Sequence, residues 1–232
     1  MRILALDTAT ENCSAALLHG ERLHQREQLL ARGHAERILP MIAELLREAA
    51  LTLAELDAIA FGRGPGAFTG VRLAASITQG LAFGAARRVV PVSNLRALAQ
   101  RVLKEQAGCE RVLACTDARM HEVYSGAYER GGDGLAREVR AEQLSPPEAV
   151  ALPEGWGGLS VSGAGSGFEA YPELLGKAGI RVHAGVWSRA VEIAQLAAVA
   201  VGAGHTLPPA EALPVYLRDD VARPAAETPA SH

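Results

Sequence analysis

The chain opens on short apolar runs separated by turn-forming residues, a pattern of strands rather than helices. Residues 3–6 (Ile-Leu-Ala-Leu) end at Asp7, and Asp7-Thr-Ala-Thr-Glu-Asn12 is turn chemistry, since Asp, Thr and Asn side chains hydrogen-bond nearby amides. Residues 13–18 read as a second strand and 22–29 as a third, more polar one after His19-Gly-Glu21. The period then lengthens to that of a helix over 35–50, followed by a strand over 56–61 that runs into Gly62-Arg-Gly-Pro-Gly66. A helix over 68–86, a strand over 89–92 and a helix capped by Ser93 and running through 103 complete a first unit. Beyond 106–108 the layout begins again: residues 112–116 end at Asp117, and 123–128 return as a strand. Asp7 and Asp117 each precede the next apolar strand by six residues. This repetition predicts two related lobes, 1–105 and 106–222. The second continues through strands over 159–162 and 180–183 and a small-residue helix over 188–201, and a Pro-rich tail, 223–232, is expected to be disordered.

Two helices of the first lobe carry more apolar residues than one packing partner requires. The stripe Ile38, Ile42, Leu45, Ala49 suits a helix lying on a sheet, and Leu39 and Leu46 widen it. Pro40 fixes the helix start near Glu36 or kinks it there. The next helix has no charged residue between Arg72 and Arg87. Its Gly70, Gly80 and Gly84 each cost about 1 kcal/mol relative to alanine, which predicts that something approaches them closely. Either the two lobes cover this helix together, or a second protein covers one side of it.

Composition narrows the class. Apolar residues make up 49% of the chain but aromatics only 4%, so the core is built from Ala, Val, Leu and Ile. The long uncharged run over 73–86 contains Ser76, Thr78 and Gln79 and is too short and polar to span a bilayer. The N-terminal apolar run meets an aspartate too early for a signal peptide, so a cytoplasmic protein without a membrane segment is expected. Cys13, Cys109 and Cys115 lack C-x-x-C spacing and read as reduced, buried thiols. A net charge of −3 argues against a basic nucleic-acid face.

Three stretches offer candidate chemistry, each with a plain structural alternative. Asp7, Thr8 and Thr10 after a buried strand form a place for a phosphate or its magnesium, or else a turn that satisfies its own backbone. Gly62 to Gly70 lies between strand and helix, where amides face an anion or where glycines let backbone approach backbone. It lacks the lysine of a Walker A loop, Val71 standing after its last glycine. Ser162-Gly-Ala-Gly-Ser-Gly167 presents Gly163 and Gly165 either to a ribose or adenine or simply as a loop. No H-E-x-x-H, H-x-x-x-H or G-x-S-x-G sequence is present, so neither a helical metal site nor a nucleophile elbow is expected.

Several strings together resemble the TsaB family: Ile3-Leu-Ala-Leu-Asp-Thr-Ala-Thr10, His34-Ala-Glu-Arg-Ile-Leu-Pro40, Gly64-Pro-Gly-Ala-Phe-Thr-Gly-Val-Arg72, Gln79-Gly-Leu81, Asp117-Ala-Arg-Met-His-Glu-Val-Tyr124 and Pro214-Val-Tyr-Leu-Arg218. The resemblance covers nearly the whole chain to about Arg223. It implies an α/β fold of the actin-like ATPase type (that of sugar kinases and heat-shock chaperones), with two related lobes each holding a mixed sheet flanked by helices. It also implies a non-catalytic subunit in threonylcarbamoyladenosine formation beside the tRNA anticodon. Such a subunit binds the catalytic paralogue TsaD and through it the ATPase TsaE, self-associates as a homodimer when alone, and meets tRNA only indirectly. The implied partner face comprises His34, Ile38, Met41, Ile42 and Leu45 with Val71, Leu73, Ala74, Ile77 and Leu81. Asp7, Thr8, Thr10, Asp117, Gly163 and Gly165 are the implied vestige of a nucleotide site. No cofactor is expected for the chain alone, with ATP a component of the complex. TsaD-like proteins carry an H-x-x-x-H metal motif where this chain has Asn94 and Leu98, neither an imidazole replacement. Arg119 stands where actin-like nucleotide sites have glycine and is expected to crowd the phosphate path. An ATPase or phosphotransferase using Asp7 and Asp117 is the alternative reading.

Overall fold

The computed structural model describes residues 1–172 and 179–218, so the expected tail, 223–232, lies outside the described residues. The first sheet is built from β1 (Arg2–Asp7), β2 (Asn12–His19), β3 (Arg22–Leu29), β4 (Ala58–Gly62) and β5 (Arg88–Val92), in the order β3-β2-β1-β4-β5. β1 to β3 are an antiparallel meander, and β4 and β5 add in parallel, each reached by a helical crossover. Helices α1 (His34–Glu48) and α2 (Phe68–Ala85) cover one face of this sheet, and α3 (Asn94–Glu105) follows β5.

The second sheet contains β6 (Arg111–Arg119), β7 (Glu122–Arg130), β8 (Ala136–Ser145), β9 (Ser162–Ala164) and β10 (Arg181–His183), in the order β10-β9-β6-β7-β8. Read from the opposite edge, this is the strand order of the first sheet. The duplicated meander with two parallel additions is the actin-like arrangement that the sequence implied. Asp7 closes β1 and Asp117 lies near the end of β6, so the two aspartate turns are equivalent points of the two lobes. The short α4 (Gly167–Ala170) follows β9 at the place α2 takes in the first lobe.

β8 was not legible as a strand: Ala136-Arg-Glu-Val-Arg-Ala-Glu-Gln-Leu-Ser145 is mostly polar on both faces, because it is a solvent-exposed edge paired on one side with β7. A second correction concerns lobe membership. The helix α5 (Ala190–Gly202), placed with the second lobe by its position in the chain, packs on β1, β2, β4 and β5. Its Ala190, Ile193, Ala194 and Ala197 bury against Ile3, Ala5, Ala16 and Ala60. Small residues on both sides let helix and sheet approach closely, which explains the alanine-rich core. Among the described residues no helix is long and apolar enough to cross a membrane.

Candidate functional site

Between the lobes lies a cleft of about 1070 Å³, lined by the Asp7 turn (Thr8, Thr10), the first turn of α2, the Asp117 turn, Gly165-Ser166 and the C-terminal segment 215–218. Residues from all three stretches that offer candidate chemistry in the sequence therefore meet at one place. Asp7 itself sits beneath the cleft floor and is fully buried. Its Oδ1 accepts from the Ala9 amide at 2.9 Å, and Asn94 Nδ2 donates to both carboxylate oxygens at 2.9 Å. The Ser188 hydroxyl donates to Oδ2 at 2.6 Å. No cation is among these partners, and burial pushes the Asp7 carboxyl above its ordinary value despite the hydrogen bonds that favour the charged form.

Asn94 completes the clasp by accepting the Gly64 amide at 2.8 Å through its Oδ1. Gly62 is required here because a Cβ would stand 2.7 Å from Asn94 Nδ2 and 2.9 Å from Asp7 Oδ1. Leu98, one helical turn on, is 2% exposed and packs among Leu95, Val102 and Ala164. The helix positions where TsaD-like proteins carry histidines thus hold one structural amide and one core leucine. No cluster of three or more His, Cys, Asp or Glu side chains suited to a metal occurs among the described residues.

Thr8 donates its hydroxyl to the Gly70 carbonyl at 2.7 Å, and a Cβ on Gly70 would collide with the Thr8 carbonyl oxygen. This is the close approach the helical glycines predicted, made within the chain. Thr10 Oγ1 accepts from the Asn12 amide at 3.2 Å, and its carbonyl meets His34 Nε2 at 2.8 Å. In the second lobe Asp117 is engaged by Arg119, whose amide donates to Oδ1 at 2.8 Å and whose guanidinium lies 3.0 Å from Oδ2. Gly165 (φ 110°) lines the cleft and cannot carry a side chain, because its Cβ would overlap the Cys115 carbonyl. Gly163 does not reach the cleft: its missing Cβ makes room for Phe168 and Ile180, so it serves core packing and its candidacy as a nucleotide contact is corrected.

The implied partner face is rearranged more deeply. Ile38, Met41, Ile42, Leu45, Val71 and Ala74 are all buried by this chain, and all but Val71 belong to the core cluster beneath α1 and α2. Ile77 and Leu81 are half-buried against that core. His34 and Leu73 line the cleft. The surface that α2 leaves open is instead Ser76, Gly80, Gly84 and Phe83, the last 81% exposed, while α1 exposes Leu39 and Pro40. A Cβ on Gly80 or Gly84 would meet nothing within 4 Å, so these two glycines, unlike Gly70, face open space. Sequence reasoning missed Ser188 as a site residue; its position before a small-residue helix carried no signal of an aspartate so far away in the chain.

Comparison with known proteins identifies the family. The family described as TsaD, tRNA N6-adenosine threonylcarbamoyltransferase, matches residues 26–223. The tRNA threonylcarbamoyladenosine biosynthesis protein TsaB of Escherichia coli K12 is 39% identical over 229 residues, covering 96% of each chain. The protein of that name from Haemophilus influenzae is 43% identical and covers 95% of each. Among solved structures, YeaZ from Pseudomonas aeruginosa superposes with a TM-score of 0.86 at 46% identity over 93% of this chain and 100% of that one. A second Pseudomonas aeruginosa structure, described as similar to peptidase YeaZ, gives a TM-score of 0.89 over 94% of this chain and 99% of its own. The chain belongs to the TsaB family of tRNA threonylcarbamoyladenosine biosynthesis proteins.

Proposed function

We propose that the chain is the partner and activator subunit required for threonylcarbamoyl transfer to the adenosine beside the tRNA anticodon. It binds the catalytic paralogue TsaD through the outward surfaces of α1 and α2, reaches TsaE through TsaD, and pairs with a second copy of itself when alone. tRNA is met only through the partners, ATP belongs to the complex rather than to this chain, and the cytoplasm is the place of action. The observation that carries this reading is the open side of α2. Phe83 stands in solvent beside Gly80 and Gly84, where an added Cβ would meet nothing within 4 Å among the described residues, on a helix free of charge between Arg72 and Arg87. Glycines in a helix cost about 1 kcal/mol each, a cost offset where a second helix backbone comes close. The rival reading, an ATPase using Asp7, requires a carboxylate free to meet a phosphate-bound cation, whereas both Asp7 oxygens accept hydrogen bonds from this chain.

The test is reconstituted transfer of threonylcarbamoyl from its adenylate to tRNA by purified TsaD and TsaE, with wild-type chain, with Gly80→Arg and without the chain. Gly80→Arg places its side chain in open space and removes the cost of a helical glycine, so thermal stability is at or above the wild-type value while association with TsaD and transfer are both lost. Full transfer by Gly80→Arg with undiminished association removes α2 from the interface. Transfer that proceeds equally without the chain removes the activator role altogether.

A further inference from the structure

The segment 215–218 crosses the mouth of the cleft and is fastened to both lobes by different residues. At its first-lobe end the Val215 amide donates to the Arg63 carbonyl at 2.8 Å. Tyr216 accepts at its hydroxyl from Arg72 Nε at 2.7 Å, and its ring lies 6.0 Å from that of Phe68. Arg72 is itself stacked 3.5 Å above the Phe68 ring, so the first turn of α2 and Tyr216 form one cation–aromatic cluster. At the second-lobe end the Arg218 guanidinium donates to the Ala118 carbonyl at 3.1 Å and to the Met120 sulfur at 3.0 Å, and it pairs with the Glu122 carboxylate.

The turn that Arg218 grips is unusual. Arg119, Met120 and His121 all have left-handed backbone, with φ of 63°, 57° and 59°. Non-glycine residues adopt this conformation singly far more often than in succession, so the turn depends on contacts from outside itself. It is held from within by the Arg119–Asp117 pair, on one flank by His121 edge-on to Tyr171, and from the cleft side by Arg218. Only Leu217 separates Tyr216 from Arg218. Two successive residues span about 7 Å even when fully extended, so neither anchor can shift far without moving the other.

We propose that residues 215–218 are a conformational relay that couples the first turn of α2 to the Asp117 turn across the cleft, so that a change at Phe68 and Arg72 alters the posture of Asp117 and Arg119. The relay lies wholly within the chain and goes beyond the docking reading, standing or falling without it. If α2 also docks a partner, its occupancy reaches the cleft by this path.

Hydrogen–deuterium exchange of the full-length protein tests the relay with no partner present, scored over residues 118–124 relative to peptides of β1 and β2. Tyr216→Phe deletes one hydrogen bond, on the first lobe only. It raises exchange at 118–124 by about threefold to tenfold, the factor expected when one net hydrogen bond is lost from a local opening equilibrium. Arg218→Ala raises it there too and also loosens residues 68–72, and the double variant adds little to Arg218→Ala alone. Unchanged exchange at 118–124 in Tyr216→Phe, with an increase in Arg218→Ala, makes the two anchors independent and overturns the proposal. Strictly additive effects in the double variant overturn it as well.

Discussion

Ser188→Ala tests how the buried aspartate is held. The Ser188 hydroxyl donates the shortest of the hydrogen bonds to Asp7, at 2.6 Å, and its oxygen accepts from Asn94 Nδ2 at 3.1 Å. The carboxylate is fully buried, so the lost donor is not replaced by bulk water. A hydrogen bond to a charged group contributes about 1.5–3 kcal/mol, against about 0.5–1.5 kcal/mol for a neutral pair. For a chain of this length that is a fall in melting temperature of about 3–12 °C when Asp7 is ionised. The pH dependence carries the sharper test. The folded pKa of Asp7 is raised above 3.8, chiefly by burial, so folding takes up a proton on this group. Its contribution to stability is therefore greatest below about pH 3.8 and declines as pH rises through the folded value, the reverse of a salt-bridged aspartate. The Ser188 hydroxyl lowers that folded value, so removing it deepens the decline. Melting curves of wild type and Ser188→Ala from pH 4 to 9 should diverge as pH rises, with the gap about doubling as native Asp7 ionises. A gap of constant size means that Asp7 holds one protonation state throughout, and the reasoning fails.

Two further outcomes follow from burial. Ile42→Glu places an unpaired charge in the core beneath α1, where Ile42 is 3% exposed, and should cost about 3 kcal/mol or more, while Leu39→Glu, at a position 47% exposed, should stay within about 0.5 kcal/mol of wild type in urea denaturation. Equal losses for the two would place the α1 stripe wrongly. Burial, aided by the charge of Asp7, pushes the Cys13 thiol up to about 11; burial and Asp117 push Cys115 up to about 12. At pH 8 a thiol reagent should therefore reach Cys13 and Cys115 only on unfolding, whereas labelling of either in the native protein, read by peptide mass, would contradict the assigned core.

Much of the fold was legible because its signals are local. The strand–aspartate–turn–strand layout recurs at Asp7 and Asp117, and both copies occupy equivalent places in sheets of equivalent order. Ser93 announced α3, and its hydroxyl does accept the Arg96 amide at 3.0 Å. The stripe Ile38, Ile42, Leu45 marked the buried face of α1 correctly. What periodicity could not convey is which neighbour buries an element. α5 reads as a helix that must be buried, yet nothing in its letters says that the first sheet does so, the contacts being made by Ile3, Ala5, Ala16 and Ala60 far away in the chain. The same limit turned core residues of α1 and α2 into candidate partner contacts. It also gave Gly70 and Gly80 a single interpretation, although a Cβ on the first would collide with the Thr8 carbonyl and one on the second would meet nothing within 4 Å among the described residues. β8 escaped because an exposed edge strand has no buried face to impose alternation.

The two aspartate turns show how one fold position acquires different physics in the two lobes. At Asp117 the answer is local: Arg119, two residues on, supplies both an amide and a guanidinium, so charge meets charge within the turn. At Asp7 the amide of Ala9 makes the equivalent local bond, but no cation follows, and the remaining donors come from Asn94 and Ser188, separated from it by 87 and 181 residues. A carboxylate held only by neutral donors in a dry site keeps its desolvation cost, which is why its pKa rises rather than falls. Those donors also head the elements they belong to: Asn94 begins α3, and Ser188 lies two residues before α5. Asp7 therefore ties the end of β1 to the starts of two helices that pack against each other, α5 on the first sheet and α3 on the second, a junction role that an exposed ligand-binding carboxylate could not fill. For the same reason, loss of transfer activity in Asp7→Ala, taken alone, would report a broken junction as readily as a lost reactive group. The milder Ser188→Ala, which leaves the carboxylate in place, separates the two.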